Sequence, residues 1–273
     1  MKRGNYLLED RKEEVKKLYF NSTLSLTKIG EYLGVSRQTV TNFVKKEGWY
    51  IEGFKSRGIR KYAINEDFFS QIKTEKQAYW LGFIAADGSI RQDKMCLTIE
   101  LARKDKEHLE KFLRDIESEG HIFDCERSNS GYLSSVVKIN SLKICNDLCS
   151  YGIVPHKTGN LYFSFNRIPE SLIKDFIRGY FDGNGCICYS GAWAISCSGY
   201  LPFLLEVMKY LPATLTSQDF TTYGTISTSK KSSVINTLSY LYKDSIIYLE
   251  RKYKKYCECL LALNDYQGAT YKS

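Results

Sequence analysis

Two glycine-containing stretches of similar layout constrain this chain more than any other part of its sequence. Residues 80–88 read WLGFIAADG and residues 177–185 read IRGYFDGNG. Each stretch is an apolar run with an early glycine, and each ends in an acidic or amide residue followed by glycine. The pattern predicts two helices that end at matching positions and pack together as one buried seam.

The early glycines, Gly82 and Gly179, explain how such a seam can form. Glycine inside a helix costs about 1 kcal/mol relative to alanine. That cost is offset if the backbone of another helix approaches closely at the glycine. Asp87 and Asn184 would then arrive side by side at the two helix ends. The helix dipole is negative at a C-terminus, so oxygen-bearing side chains there can bind divalent cations. Divalent cations next to a basic surface suggest phosphodiester chemistry.

Charge and composition limit the partners of the chain. Of its 273 residues, 43% are hydrophobic and 14% aromatic, which is enough for a sizeable core. The net charge of +8 favours an acidic partner. No apolar run approaches the roughly 20 residues that cross a bilayer, and the first residues lack the apolar region of a signal peptide, so we expect none there. We therefore expect nucleic acid rather than a membrane as partner, and a cytoplasmic location. The spacing of the cysteines fits neither zinc nor disulfide frameworks, so we expect them to stay reduced and mostly buried.

The N-terminal residues 1–50 predict a small all-α helix-turn-helix domain. A helix at residues 7–20 precedes a short helix ended by Gly34, and Ser36 is a plausible N-cap for the next one. A plain three-helix bundle that binds protein or nothing is the alternative. The stretch resembles the helix-turn-helix of small bacterial transcriptional regulators and transposases over about 25 residues. The second helix projects side chains that reach bases and phosphates: Arg37, Gln38, Thr41, Asn42 and Lys45. The predicted core of the helix-turn-helix consists of Ile29, Leu33, Val35, Val40 and Phe43.

After a basic linker at residues 51–69, a repeated order of elements appears. Residues 70–168 and 169–264 each begin with one of the two stretches. In each copy, the helix is followed by a strand, a second strand or loop, a helix, two further strands and a helix. Either stretch alone could be an ordinary core helix with a glycine cap, but two copies with the same element order favour the seam. Residues 264–273 look like a frayed tail. We place the end of the second copy at residue 264 and the tail at residues 265–273.

The paired stretches resemble the motifs of the LAGLIDADG homing endonucleases, in the single-chain form with two pseudo-symmetric halves. The runs IPESLIKDFIRGYFDG from residue 168 and GIVPHKT from residue 152 also resemble family segments. The resemblance covers about residues 70–260. It implies an α+β fold in which two αββαββα halves form a saddle over double-stranded DNA. It also implies a monomeric, Mg²⁺-dependent enzyme that cuts long DNA targets.

The resemblance further implies the site residues. Asp87 would bind Mg²⁺ together with the carbonyl of Ala86, and Asn184 together with that of Gly183. Lys157 would support the water network and the scissile phosphate in the first half. Lys252 is a less certain counterpart in the second half. Surface lysines at loop and helix starts are the alternative for both.

Asn184 departs from the family pattern, which places an aspartate at this position. An amide can offer a neutral oxygen to a cation, but it supplies no charge and cannot act as a base. Double-strand cutting, strand-biased nicking and binding alone are therefore all open, and we favour retained cleavage that is asymmetric. A transcriptional regulator on the same scaffold is the leading alternative. A splicing maturase is another, so the sequence does not separate DNA from RNA as the partner.

Polar residues that alternate along the predicted strands are candidates for DNA readout as a group, since half of them could be merely solvated. They are Arg91, Lys94, Thr98, Glu100, Arg127, Ser135, Lys138, Ser196, Ser198, Thr216, Gln218, Thr221, Thr225 and Ser227.

Overall fold

The computed structural model describes residues 8–22, 24–51, 62–92, 96–127, 131–157, 159, 161–220 and 223–268. Its N-terminal helices are α1 (Lys12–Asn21), α2 (Leu26–Leu33) and α3 (Arg37–Lys46). The Ser36 hydroxyl accepts a hydrogen bond from the Thr39 amide at 3.1 Å, as the N-cap prediction requires. Gly34 ends α2 with a φ of +72°, a left-handed conformation that favours glycine.

The N-terminal helices bury their own hydrophobic cluster. Ile29, Leu33, Val40 and Phe43 are buried in it as predicted, whereas Val35 is only partly buried at its edge. Leu8, Val15 and Tyr19 complete the cluster from the α1 side. The helix-turn-helix arrangement therefore follows from local signals, namely two serine caps, one glycine turn and a 3.6-residue apolar period.

Two successive sets of helices and strands follow, and the predicted mixed α+β class is confirmed. The first set consists of α4 (Glu75–Asp87), β1 (Gly88–Ile90), β2 (Leu97–Ala102), α5 (Lys106–Asp115), β3 (Ile122–Arg127), β4 (Tyr132–Ile139) and α6 (Leu142–Ser150). The second consists of α7 (Ile173–Asn184), β5 (Gly185–Tyr189), β6 (Trp193–Tyr200), α8 (Leu201–Met208), β7 (Thr216–Phe220), β8 (Tyr223–Thr228), α9 (Lys231–Tyr242) and α10 (Glu250–Gly268).

The two antiparallel sheets have the same topology. Their strand orders are β1-β2-β4-β3 and β5-β6-β8-β7. Along β2, buried Leu97, Ile99 and Leu101 alternate with half-buried residues, so one face of the sheet lies in the core. The opposite, outward face of each sheet carries the polar positions, and we call these the two outward faces.

Two features differ from the prediction. The α10 helix continues to Gly268, so residues 264–268 are helical rather than part of a tail. Tyr256 and Cys259 anchor its earlier turns in the core, which lets the helix propagate beyond them. The strands β1 and β5 begin directly after the motif helices and span only 3 and 5 residues. Such short strands give too little alternation to be located from sequence.

The helices α4 and α7 pack backbone to backbone at the two glycines. A Cβ atom on Gly82 would lie 1.9 Å from the Phe176 carbonyl oxygen, and one on Gly179 would lie 1.9 Å from the Tyr79 carbonyl oxygen. These contacts are reciprocal, because each glycine admits the backbone of the other helix. Neither position can hold a side chain without separating the helices.

Replacing Gly179 with valine is expected to lower the free energy of unfolding by about 3 kcal/mol or more, because the new side chain meets backbone rather than a movable side chain. The shift in the denaturant midpoint, followed by circular dichroism, measures this effect. Gly120→Ala is the control, because its Cβ would meet side-chain atoms rather than backbone, namely the Ser118 hydroxyl at 3.2 Å and a Leu113 methyl group at 3.4 Å. Equal midpoints for the two variants would contradict the packing argument.

Candidate functional site

The ends of α4 and α7 lie against each other, so the structure brings the predicted residues Ala86, Asp87, Gly183 and Asn184 into one place. A Cβ atom on Gly183 would lie 2.3 Å from the Ala86 Cβ and 3.2 Å from an Asp87 carboxylate oxygen. Each helix ends within one residue of its candidate side chain. The exposed carbonyls of the last turns therefore converge on the same region as the carboxylate and the amide.

Asp87 is half-buried and surrounded by cations. Burial raises the pKa of its carboxyl above the ordinary value, and the charges of Lys252, Lys157 and Arg251 oppose this rise. The carboxylate thus lies where its negative charge is incompletely solvated. A cation placed against it would stabilise the ionised form.

Lys157 reaches the end of α4. Its ammonium group donates to the Ala86 carbonyl oxygen at 3.0 Å. Burial lowers the pKa of Lys157 to about 8, and the negative charge of Asp87 opposes this shift. The lysine therefore lies at the candidate site of the first half, on the carbonyl that the resemblance assigns to the metal.

Lys252 occupies a different position in the second half. It is 2% exposed, and its ammonium group donates to the Phe181 carbonyl oxygen at 2.5 Å. Phe181 lies three residues before Asn184, whereas Ala86 lies one residue before Asp87, so the Lys252 contact is two residues, or about half a helical turn, deeper than the Lys157 contact. Burial lowers the pKa of Lys252 to about 8, opposed by Asp182. The two lysines are therefore not equivalent in geometry, although both bind the last turn of a motif helix.

Asn184 is half-buried and lies one helical turn after Tyr180, on the same face of α7. The Tyr180 hydroxyl fills the space beside Gly199, where a Cβ would lie 2.1 Å from the hydroxyl oxygen. Tyr180 was not among the predicted site residues. Its signal in the sequence is the spacing of four between tyrosine and asparagine, which places both on one helix face.

A buried polar network behind the site was also missed. Asp182 is fully buried and accepts hydrogen bonds from the Tyr79 hydroxyl at 2.7 Å and the Tyr242 hydroxyl at 2.6 Å. Arg178 is 1% exposed and pairs with Asp175 at 2.8 Å and with Glu75 at 2.6 Å. The signal was charged residues inside an otherwise apolar helix, but their partners come from distant parts of the chain.

Within the described residues, no group of three or more His, Cys, Asp or Glu side chains could hold a metal ion. A cation at the helix ends would thus depend on one carboxylate, one amide and backbone carbonyls. All nine cysteines are free thiols, and seven of them are buried or half-buried. In the part of the chain that the structure describes, no helix has the length and apolar character to cross a bilayer.

The α3 helix presents the predicted readout residues away from its core. Arg37, Gln38, Asn42 and Lys45 are exposed and Thr41 is half-buried. The Gln38 amide nitrogen donates to the Asn42 amide oxygen at 2.8 Å, so these two side chains act as one preorganised pair.

On the two outward faces, the register brings several predicted readout residues together. Thr98 lies opposite Lys138, and Glu100 follows on the same face. In the other sheet, the outward residues Ser196, Ser198, Thr216, Gln218, Thr225 and Ser227 form neighbouring pairs. Arg91 is exposed next to β1.

One predicted readout residue lies on the wrong face of its sheet, and three others lie wholly or partly outside the described residues. Ser135 pairs with Leu101, is fully buried and donates to Asp124 at 2.7 Å, because its strand continues the core alternation. Lys94 and Thr221 lie outside the described residues, as does the side chain of Arg127, whose backbone belongs to β3.

Comparisons with known proteins bear on both parts of the chain. A family model described as "Putative helix-turn-helix protein, YlxM / p13 like" matches residues 4–87, which is less than half of the chain. No curated protein sequence matches the chain.

Among solved structures, the LAGLIDADG homing endonuclease I-GzeII in complex with its DNA target matches with a TM-score of 0.50 at 14% identity, over 74% of this chain and 94% of that chain. The homing endonuclease I-LtrWI bound to target DNA matches with a TM-score of 0.49 at 12% identity, over 75% and 92%. The N-terminal LAGLIDADG domain of DUF199/WhiA matches with a TM-score of 0.44 at 11% identity, over 68% and 92%. The last two TM-scores are below 0.5 and support no inference about this chain. The similarity to I-GzeII shows the fold alone, so the chain has a LAGLIDADG fold that follows helix-turn-helix-like N-terminal helices.

Proposed function

We propose that this chain is a site-specific, Mg²⁺-dependent endonuclease of the LAGLIDADG homing type that hydrolyses phosphodiester bonds of double-stranded DNA. One observation carries the proposal. Asp87 and Asn184 lie at touching helix ends, and Lys157 donates to the carbonyl beside Asp87. A half-buried carboxylate among cationic side chains fits both a divalent cation and a phosphate group.

The oxygen atoms at the helix ends would hold the ion. Asp87 and the Ala86 carbonyl would serve the first site, and the Asn184 amide and the Gly183 carbonyl the second. The donor set fits Mg²⁺, which proteins bind through one or two carboxylates while substrate phosphates supply other ligands. When bound, the ion supplies an activated water and steadies the oxygen that leaves phosphorus.

The protein's own groups would orient the phosphate. Lys157 and Lys252 lie at the two motif helices and would offer their ammonium groups to phosphate oxygens and to ordered water. Two sites related by a pseudo-two-fold axis match the two strands of a duplex, so each site would act on one strand. The inequality of Asp87 and Asn184 then becomes an inequality between the strands.

The two outward faces and α3 would bind the DNA. Hydroxyl and amide side chains on the second outward face can read base edges, and Lys138 can neutralise a phosphate. The YlxM-like match and the exposed Gln38–Asn42 pair support an additional contact by α3.

A second candidate function is a DNA-binding regulator that has lost cleavage. The observation that favours it is that α7 ends in Asn184, a neutral amide, where α4 ends in the Asp87 carboxylate, because an amide supplies no charge to a cation. Both functions require DNA binding, and only the endonuclease requires strand breakage.

The two functions are separated by incubating the protein with duplex fragments of its source genome in Ca²⁺ and then in Mg²⁺. We expect retention of a specific fragment in Ca²⁺ and its breakage in Mg²⁺. For Asp87→Asn, we expect retention to persist while the cleavage rate falls at least about 100-fold, because the charge at the metal is lost. Retention without any nick in Mg²⁺ would contradict the endonuclease, and unchanged double-strand cutting by Asp87→Asn would contradict the metal assignment.

Strand asymmetry gives a second prediction. With each strand of the retained duplex labelled separately, the wild-type protein should cut one strand about tenfold or more faster than the other. Asn184→Asp should accelerate the slower strand and leave the faster one unchanged, because it adds charge to one site only. Asn184→Ser is the matched control, since it adds no charge. Acceleration of both strands by Asn184→Asp would contradict the assignment of one site to each strand.

The role of α3 gives a third prediction. Lys45→Ala should weaken DNA binding and reduce the slope of log affinity against log salt by about 1, because one phosphate contact is lost. Asn42→Ala should lower affinity for the retained sequence more than for random duplex. Lys28→Ala is the control, because Lys28 is an exposed lysine of α2 that pairs with Glu31. Equal salt slopes for Lys45→Ala and Lys28→Ala would argue against α3 as a DNA-binding element.

A further inference from the structure

Asp182 is a buried carboxylate that the proposed chemistry does not use. It lies two residues before Asn184, but its side chain points into the protein and is fully buried. It accepts hydrogen bonds from the Tyr79 hydroxyl at 2.7 Å, the Tyr242 hydroxyl at 2.6 Å and the Leu249 amide at 2.7 Å. Burial raises the pKa of the Asp182 carboxyl, and the charge of Lys252 and the three donors oppose this rise, so burying the carboxylate without those donors would be strongly unfavourable.

The Leu249 amide lies at the start of α10, in the turn that carries Lys252. The amide of Lys252 donates to the Leu249 carbonyl at 2.9 Å, so the two residues belong to the same first turn. A carboxylate at this position is stabilised by the positive end of the helix dipole. It also accepts a hydrogen bond from an amide that has no acceptor within the helix.

A second contact closes a ring between the two helices. The Lys252 ammonium returns to the carbonyl of Phe181, the residue just before Asp182. The first turn of α10 is thus tied to the last turns of α7 twice, once through the Asp182 carboxylate and once through the Lys252 ammonium. The ring leaves the ammonium little freedom to choose another position.

The connection that leads into α10 is held by the same helix. Arg178 of α7 donates to the Leu241 carbonyl at 3.0 Å and to the Ile247 carbonyl at 2.9 Å. Glu75 of α4 accepts from the Ile246 amide at 2.8 Å. The first half has no equivalent carboxylate, because Ala85 occupies the position in α4 that corresponds to Asp182.

We propose that Asp182 is a positioning residue that fixes the first turn of α10 through the Leu249 amide and thereby holds the Lys252 ammonium at the end of α7. Its effect on catalysis rests on the proposed endonuclease function, in which Lys252 serves the second site. Asp182 is fully buried behind the helix ends, so it acts on that site through Lys252.

The first experiment tests the positioning without any nuclease activity. The folded full-length protein is exposed briefly to an amine-acylating reagent, and the modification of each lysine is measured by mass spectrometry. For Asp182→Ala, we expect the labelling rate of Lys252 to rise about tenfold or more, since hydrogen bonds to a charged group shift local equilibria by at least this factor. The labelling rate of Lys157, in the other half, should stay unchanged.

Two further variants isolate the Leu249 contact. Asp182→Asn removes the same charge as Asp182→Ala, and therefore has the same effect on the Lys252 pKa, but it keeps an acceptor for the Leu249 amide. Lys252 should be labelled more slowly in Asp182→Asn than in Asp182→Ala, and Asp182→Asn keeps the proposal testable if Asp182→Ala fails to fold. Tyr79→Phe removes a different donor to the same carboxylate oxygen and should leave Lys252 protected. Unchanged labelling of Lys252 in Asp182→Ala would overturn the proposal. So would equal increases at Lys252 and Lys157, or an equal increase in Tyr79→Phe, because these outcomes indicate general loosening of the interface.

The second experiment adds the catalytic consequence. With separately labelled strands, Asp182→Ala should slow cleavage of the strand served by the second site about tenfold or more, at saturating protein and with the other strand unaffected. Equal slowing of both strands would assign Asp182 a purely structural role. If the wild-type protein cuts neither strand, the endonuclease proposal fails, whereas the labelling experiment still decides the positioning proposal.

Discussion

The close approach of α4 and α7 at Gly82 and Gly179 is the constraint on which the rest of the structure depends. Each glycine admits a carbonyl oxygen of the other helix at a point where a Cβ atom would lie 1.9 Å away. This spacing lets the two helix ends touch, so Asp87 and Asn184 lie together. Both sheets begin directly at the ends of these helices, with β1 at Gly88 and β5 at Gly185. One backbone contact therefore sets the relative position of both halves and of both candidate sites.

The two halves share a topology but not a chemistry, and the difference is concentrated in the motif helices. The buried part of α4 is apolar except for Tyr79, whereas α7 buries Asp175, Arg178 and Asp182. Buried charges are tolerated only when they are paired and hydrogen-bonded. Asp175 pairs with Arg178 within α7, whereas Arg178 and Asp182 find further partners in α4, in the last turn of α9 and in the segment that leads from α9 into α10. The second half thus spends its polar contacts on fixing its own C-terminal helix, which the first half does not need to do.

The sequence predicted those features that depend on local chemistry. The serine cap at Ser36, the glycine turn at Gly34 and the helix spacing of the motifs all act within a few residues, so their signals are read directly. The inward orientation of Ser135 and the depth of Lys252 depend on strand register and on tertiary packing. Neither is encoded within a short window, because the residues that decide them lie tens of residues away in the chain. The Asp182 network could not be predicted for the same reason, since its three donors come from α4, α9 and the residue just before α10.

The charge balance at the helix ends decides what the substitution of aspartate by Asn184 means. The first site sets one carboxylate against Lys252 and Lys157, whereas the second sets a neutral amide against Lys252, and burial lowers the pKa of both lysines to about 8. An amide weakens the attraction for a cation, but it also removes a repulsion for phosphate. If the chain is an endonuclease, the second site would therefore bind the phosphate more readily and the metal less readily than the first. DNA affinity would survive the substitution, and the chemical step on one strand would bear its effect.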